Sequence, residues 1–200
     1  MGVMKNTSTQ KRNAKQKLLD AAANLFYNDG IHPTGINTIT AQAGVAKMSL
    51  YNNFPTKSDL IAAYIEARHQ QWLDLYAARL AQAEHAVAKV IAVFEAYQDH
   101  AEGDYLKGFR GCGLLNAAAE FPAHSPERQA VRQHKEQVEQ ILKTHLAALY
   151  TDQNQCAQQA QLLSFILEGA IARAGLEGCS DKMLAAKQMV QQQLAQDFPH

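Results

Sequence analysis

Apolar positions recur with a helical period along nearly the whole chain, and nowhere do Val, Ile and Thr alternate with polar residues between turn signals as strands require. Leu18, Ala22, Leu25 and Phe26 predict an amphipathic helix over 12–28, stopped at Gly30. Ile36, Ile39 and Ala43 share one face of a short second helix, with Thr34 placed to cap its start and Gly44 to end it. A third short helix carries KMSLYNNF and halts before Pro55, because the residue preceding proline is pushed out of the α region. Thr56 to Asp59 has the spacing of a capping box and opens a fourth helix that runs past Trp72 and Tyr76 to about Ala83. Further helices are expected over 85–101, 112–121, 127–149, 153–176 and 181–196, so the fold class is all-α.

The third of these helices is spent oddly. Leu50 and Phe54, four apart, can be buried together, which leaves Lys47, Met48, Ser49, Tyr51, Asn52 and Asn53 facing outward. Two short helices joined by a Gly-containing turn behind a longer one form a helix-turn-helix, whose second helix enters the DNA major groove. The exposed set suits that task. Asn52 and Asn53 can both donate and accept, Ser49 and Tyr51 can bond phosphate oxygens, Lys47 brings charge, and Met48 can meet a thymine methyl. Lys57, in the first turn of the fourth helix, stands where backbone N–H groups already favour a phosphate.

Charge sharpens this reading. Net charge is zero, yet residues 1–60 hold seven basic side chains against three acidic ones, and the excess is reversed over the rest of the chain. A basic end and an acidic body suit a modular DNA binder, with residues 1–11 as a basic, flexible tail. The amino terminus has no apolar core of a secretory signal, and no apolar run is long enough for a bilayer. Cys112, Cys156 and Cys179 are odd in number and far apart, which fits free thiols in a cytoplasmic protein and no zinc spacing. No metal, cofactor or membrane partner is expected.

The run of Gly30, Thr34-Gly35-Ile36, Ile39, Ala43-Gly44-Val45, Lys47, Leu50-Tyr51, Phe54, Lys57 and Leu60 resembles the DNA-binding domain of TetR/AcrR-family transcriptional regulators over about residues 12–62. FRGCGLLNAAAEFP is similar to a stretch in the regulatory domain of some members. The resemblance implies DNA contacts by Lys47, Met48, Ser49, Tyr51, Asn52, Asn53 and Lys57, joined by Asn37 and Thr38 of the second helix. It also implies that residues 63–200 form a helical regulatory and dimerisation domain, and that two chains read a palindromic double-stranded operator until a small-molecule inducer releases them. The dimer would use the last two helices, through Leu162, Phe165, Ile166, Gly169, Ala170, Val190 and Leu194. The chain departs from many members at four places: Ala46 stands where they have Ser, Met48 where they have Gly, Asn52-Asn53 where they have an aromatic and His, and Asn37 where they have Arg. Ala46 removes a side-chain cap from the third helix, and the other changes detach the operator sequence from that of relatives.

Trp72, Tyr76, Phe94, Tyr97, Phe109, Cys112, Leu115 and Phe121 are the candidates to line an inducer pocket for an apolar or aromatic molecule. Cys112 follows Arg110-Gly111 at a helix start, a setting that favours a reactive thiolate and an alternative role in sensing oxidants or electrophiles. Two readings of other classes compete: a cysteine enzyme drawing a base from His100 or His124, and a helical adaptor with a basic end. His134 and His145 read as surface histidines. A regulator without enzymatic activity accounts for more of these features than either rival.

Overall fold

A computed structural model describes residues 13–198; the basic tail and Arg12, the expected first residue of the opening helix, lie outside the described residues. The order is α1 (Ala14–Asp29), α2 (Ile36–Ala43), α3 (Lys47–Asn53), α4 (Lys57–Leu80), α5 (Ala86–Ala101), α6 (Gly113–Ala119), α7 (Pro126–Leu146), α8 (Gln153–Glu177) and α9 (Asp181–Asp197). Among the described residues there is no strand, and no helix is long and apolar enough to cross a membrane. The chain divides into two compact units between Tyr64 and Ile65, within α4.

In the first unit, Asn13 caps α1 by accepting the Gln16 N–H at 2.9 Å. Gly44 ends α2 in the left-handed region at φ 61°, its N–H returning to the Ala41 and Thr40 carbonyls, a conformation that costs little only without a Cβ. Thr34 does not cap α2 as the sequence suggests. Thr34 is 4% exposed and its hydroxyl donates to the Gly30 carbonyl at 2.6 Å, tying the α1–α2 loop, while Gly35 takes the cap position. Ala46 leaves α3 without a side-chain cap, as expected. The capping box of α4 is complete: the Asp59 carboxylate accepts from the Thr56 N–H (2.9 Å) and hydroxyl (2.7 Å), and Thr56 accepts the Asp59 N–H at 3.1 Å. Leu18, Phe26, Ile31, Ile39, Leu50, Phe54 and Leu60 fill the core, and Phe26 meets Tyr64 edge-on at 5.4 Å. Truncating Leu50 would cost about 2–5 kcal/mol, as for other buried leucines.

In the second unit α5 is the buried centre: Val90, Ile91, Val93, Phe94 and Tyr97 are all within the core, and α7, α8 and α9 pack against it. The loop before α6 rests on α8 at Gly175, where an added Cβ would stand 2.5 Å from the Gly111 Cα. Only glycine allows this approach, and it fixes the position of Cys112, the residue that precedes α6.

Candidate nucleic-acid interface and effector cavity

The helix-turn-helix places its polar side chains outward. Lys47, Met48, Tyr51 and Asn52 of α3 are exposed, Met48 to 71%, as are Asn37 and Thr38 at the start of α2. Leu50 is fully buried and Phe54 nearly so, which sets the helical phase that exposes the others. Ser49 is half-buried. Asn53 is also half-buried and turns back on its own helix, its amide donating to the Ser49 carbonyl at 2.7 Å. The Lys57 ammonium donates to the Ile31 carbonyl at 2.6 Å, so this lysine anchors the loop after α1 as well as standing at the start of α4. An ammonium has three donors, and this bond uses one of them. Lys15, exposed on α1 with its ammonium 5.7 Å from the Phe54 ring centre, is a further cation of this unit that the motif does not single out.

The second unit holds a small cavity bordered by Arg68, Trp72, Tyr97, His100, Cys112, Gly113, Leu114 and His134, with about 10 Å³ open within it. Of the expected pocket residues, Trp72, Tyr97 and Cys112 come together there. Tyr76 backs the wall, its ring stacked on Trp72 at 5.5 Å and its hydroxyl 2.6 Å from His145 Nε2. Phe94 is wholly buried away from the opening, and Phe109 packs on His100 and Tyr105. Leu115 points outward at 37% exposure, while its neighbour Leu114 is buried and lines the cavity. Phe121 is half-buried outside the lining.

His134 is not a surface histidine. It is 4% exposed, with Nδ1 2.7 Å from His69 Nδ1 and its ring edge-on to Trp72. Burial, then the charge of Lys135 and the neighbouring His69 and His100, lowers its pKa to about 3. Burial together with Arg68 and Lys135 lowers that of His100 to about 4, so both imidazoles are neutral at pH 7. Lys135 donates to Tyr97 Oη at 3.2 Å and to Cys112 Sγ at 3.6 Å, and pairs with Glu168 at 2.8 Å. Burial alone would lower the lysine pKa; the Cys112 and Tyr97 groups beside it and the paired Glu168 carboxylate outweigh that cost and raise it, so the ammonium is held. His124 is exposed, so of the two histidines considered as a base for Cys112 only His100 shares its cavity.

A separate apolar face runs along α8. Leu162, Phe165 (62% exposed) and Leu176 stand open there beside Gly169, where an added Cβ would meet nothing within 4 Å. Ile166 is half-buried at its edge, and α9 exposes Leu184 and Met189. Ala170, Val190 and Leu194 do not belong to this face. Ala170 is buried, and Val190 and Leu194 are each 1% exposed in the core of the unit, because the inward phase of α9 runs through Met183, Ala186, Val190 and Leu194.

Two family models match the chain: one described as bacterial regulatory proteins of the tetR family over residues 18–64, and one described as a tetracyclin repressor-like C-terminal domain over residues 86–190. The crystal structure of SCO4454, a TetR-family transcriptional regulator from Streptomyces coelicolor, is 32% identical with a TM-score of 0.79, over 91% of this chain and 96% of that one. An uncharacterised HTH-type transcriptional regulator from the lacX 3′ region of Lactococcus lactis is 28% identical over 141 residues, 69% of this chain and 70% of its own length. The match to the HTH-type regulator YxaF of Bacillus subtilis is 37% over 54 residues and spans 28% of that relative.

Proposed function

We propose, for a chain that belongs to the TetR family of bacterial regulatory proteins, that it is a cytoplasmic, non-enzymatic homodimeric repressor that reads a palindromic operator and releases it on binding a small molecule. The observation that carries this reading is α3: a seven-residue helix held by Leu50 and Phe54 while Lys47, Met48, Tyr51 and Asn52 stand exposed. Lys47, Met48 and Ser49 at its amino end approach base edges, with Asn52 and the Asn53 amide oxygen beside them; Tyr51 and Lys57 bond phosphates, and Asn37 and Thr38 bond the backbone from α2.

The second copy docks on the open face of α8, through Leu162, Phe165 and Ile166, with Gly169 letting backbones approach and Leu184 and Met189 of α9 at its border. A two-fold dimer places two equivalent reading helices on a pseudo-palindrome with half-sites about 34–36 Å apart or a multiple of that. An inducer acts only insofar as it binds the DNA-competent and DNA-incompetent conformations with different affinity.

The test is binding of the purified protein to the DNA upstream of its own gene, followed by fluorescence anisotropy at physiological salt with excess competitor DNA. Two chains per site are expected, and Lys47→Ala/Asn53→Ala should weaken specific binding by about 100-fold without changing the helical content. Random-site selection covers a distant operator. A protein that selects no sequence by either route is not a sequence-specific regulator.

A second reading concerns the signal. The Lys135 ammonium at Cys112 Sγ is one of the features that distinguish reactive thiols, and hydrogen peroxide would oxidise such a thiol to a sulfenic acid with release of water. If Cys112→Ser leaves operator release by peroxide unchanged, oxidant sensing at Cys112 is excluded.

A further inference from the structure

Trp72 carries a buried donor at the cavity. It is 4% exposed, yet its indole N–H finds no acceptor. Leaving such a donor unmade in the interior costs about 1–3 kcal/mol, and buried tryptophans usually find a partner. The chain contains no other tryptophan.

The rest of the lining shows what kind of partner is missing. Tyr97 Oη and Cys112 Sγ each already accept from Lys135. The Nδ1 atoms of His134 and His100 are engaged by His69 at 2.7 Å and Tyr105 at 3.2 Å. Arg68 and Trp72 offer donors only. None of the eight lining residues carries a carboxylate, and the charges of Arg68 and Lys135 are both felt at His100, while Glu168 serves Lys135 from outside the lining. The space is therefore bounded by four rings, Trp72, Tyr97, His100 and His134, and by the Arg68 side chain, with no carboxylate among the lining residues.

We propose that this cavity is the recognition end of an effector site for small aromatic carboxylic acids in their ionised form. The carboxylate accepts the Trp72 Nε1–H and bonds the Arg68 guanidinium, and the ring lies against Trp72 and Tyr97. The inference rests on the reading of the chain as an effector-responsive regulator and names the class of effector. The cavity as it stands has room for no more than one water, so an aromatic acid must displace the wall built by Cys112, Gly113 and Leu114. That wall belongs to α6, only seven residues long, which follows a loop with Gly108 and Gly111 in the left-handed region at φ 83° and 89°. A conformation with this wall displaced is the one the acid selects, which supplies the differential affinity that release of DNA demands.

The lone tryptophan makes the test direct. Benzoate and trans-cinnamate are titrated against the full-length protein at pH 7.5 and constant ionic strength while Trp72 emission is followed, beside benzamide and cinnamamide, which keep the ring and carbonyl and lack the charge. The acids should give a saturable change, with the amides at least about tenfold weaker. By calorimetry, Arg68→Gln and Trp72→Phe should each weaken cinnamate by about tenfold, with Arg68→Lys intermediate, each variant being titrated below the temperature at which its own melt begins. The proposal is overturned by equal binding of acids and amides, by binding of neither, or by acid binding that both substitutions leave intact. Operator binding in the same preparation separates the two claims. DNA binding without acid binding removes the effector class alone, whereas saturable acid binding without DNA binding upholds the site and removes the regulator reading.

Discussion

The two units use their polar residues in opposite ways. The first, up to Tyr64, packs a small apolar core and puts its chemistry outside, on α2 and α3. The second hides part of its chemistry: Lys135 with a side chain 18% exposed, His134 nearly buried, and Trp72 with an unmet N–H. An exposed polar side chain contributes little to stability and can be changed without unfolding its helix. A buried one must be satisfied within the protein, so its role in folding and its role in binding cannot be separated by inspection. The difference teaches where substitutions should uncouple function from stability and where they should not.

The largest expected effect tests the face that the second unit does leave open. Phe165→Asp puts a charge into the proposed dimer contact at a side chain already 62% exposed in one chain. Thermal stability at low protein concentration should stay within about 0.5 kcal/mol, as for other surface substitutions. Sedimentation should show monomer, and operator affinity should fall by about 100-fold or more because two half-sites no longer bind as one ligand. A dimer that survives the change places the contact elsewhere.

Two lysines sharpen the contrast. Lys47 is exposed and Lys135 is held between Glu168, Tyr97 and Cys112. Lys135→Met would leave Glu168 without its cation, and since that carboxylate is partly solvated the cost is about 2 kcal/mol, below that of a fully buried pair. Lys47→Ala should leave the melting temperature unchanged and reduce DNA affinity. Urea melts and DNA titrations of both variants check this, and the comparison collapses if Lys47→Ala destabilises as much as Lys135→Met.

How much of this was legible in the sequence follows from the distances involved. The helix-turn-helix is written in neighbouring residues: Gly44, Pro55, the Thr56–Asp59 box and the Leu50–Phe54 spacing each act within one or two turns. Thr34 misled because a threonine before a helix can cap it or bond backward, and Gly35 taking the cap position decided the matter. The cavity draws on α4, α5, α7 and the start of α6, and helical periodicity says which face is inward, never where opposing faces fail to meet. Large rings such as Trp72 and Tyr97 could be picked out. Arg68 and His134 could not, because polar residues are usually solvated and their burial depends on partners distant in sequence.

The buried histidines supply a pH test that the first unit should not share. Unfolded, His100 and His134 titrate near 6.5; folded, burial and nearby cations hold them at about 4 and about 3. Between those values the unfolded chain binds protons that the folded chain refuses. Their contribution to stability is thus complete above pH 6.5 and is lost as pH falls toward 3, by about 1–2 kcal/mol for each histidine at pH 5. Chemical melts followed by Trp72 emission should show that slope, and His134→Gln should flatten it by roughly half. A slope that His134→Gln leaves unchanged assigns the acid sensitivity to other groups.

Lys57 carries the smallest expected effect and crosses the line between the two kinds of residue. Its ammonium bonds the Ile31 carbonyl at 2.6 Å, a contact across 26 residues that no local pattern announces, and it also stands at the amino end of α4, where a phosphate is favoured. Lys57→Ala removes both. The structural part should appear as about 1 kcal/mol of lost stability without DNA, since the bond is charge-assisted and only partly buried. The phosphate part should appear as an affinity loss of similar size on every sequence, and as a reduction of the salt slope by about one. Both changes together make Lys57 a residue that docks the loop and holds DNA through one ammonium. A stability loss with the salt slope unchanged confines it to the fold, and places the phosphate contacts at Tyr51 and the exposed cations of α1.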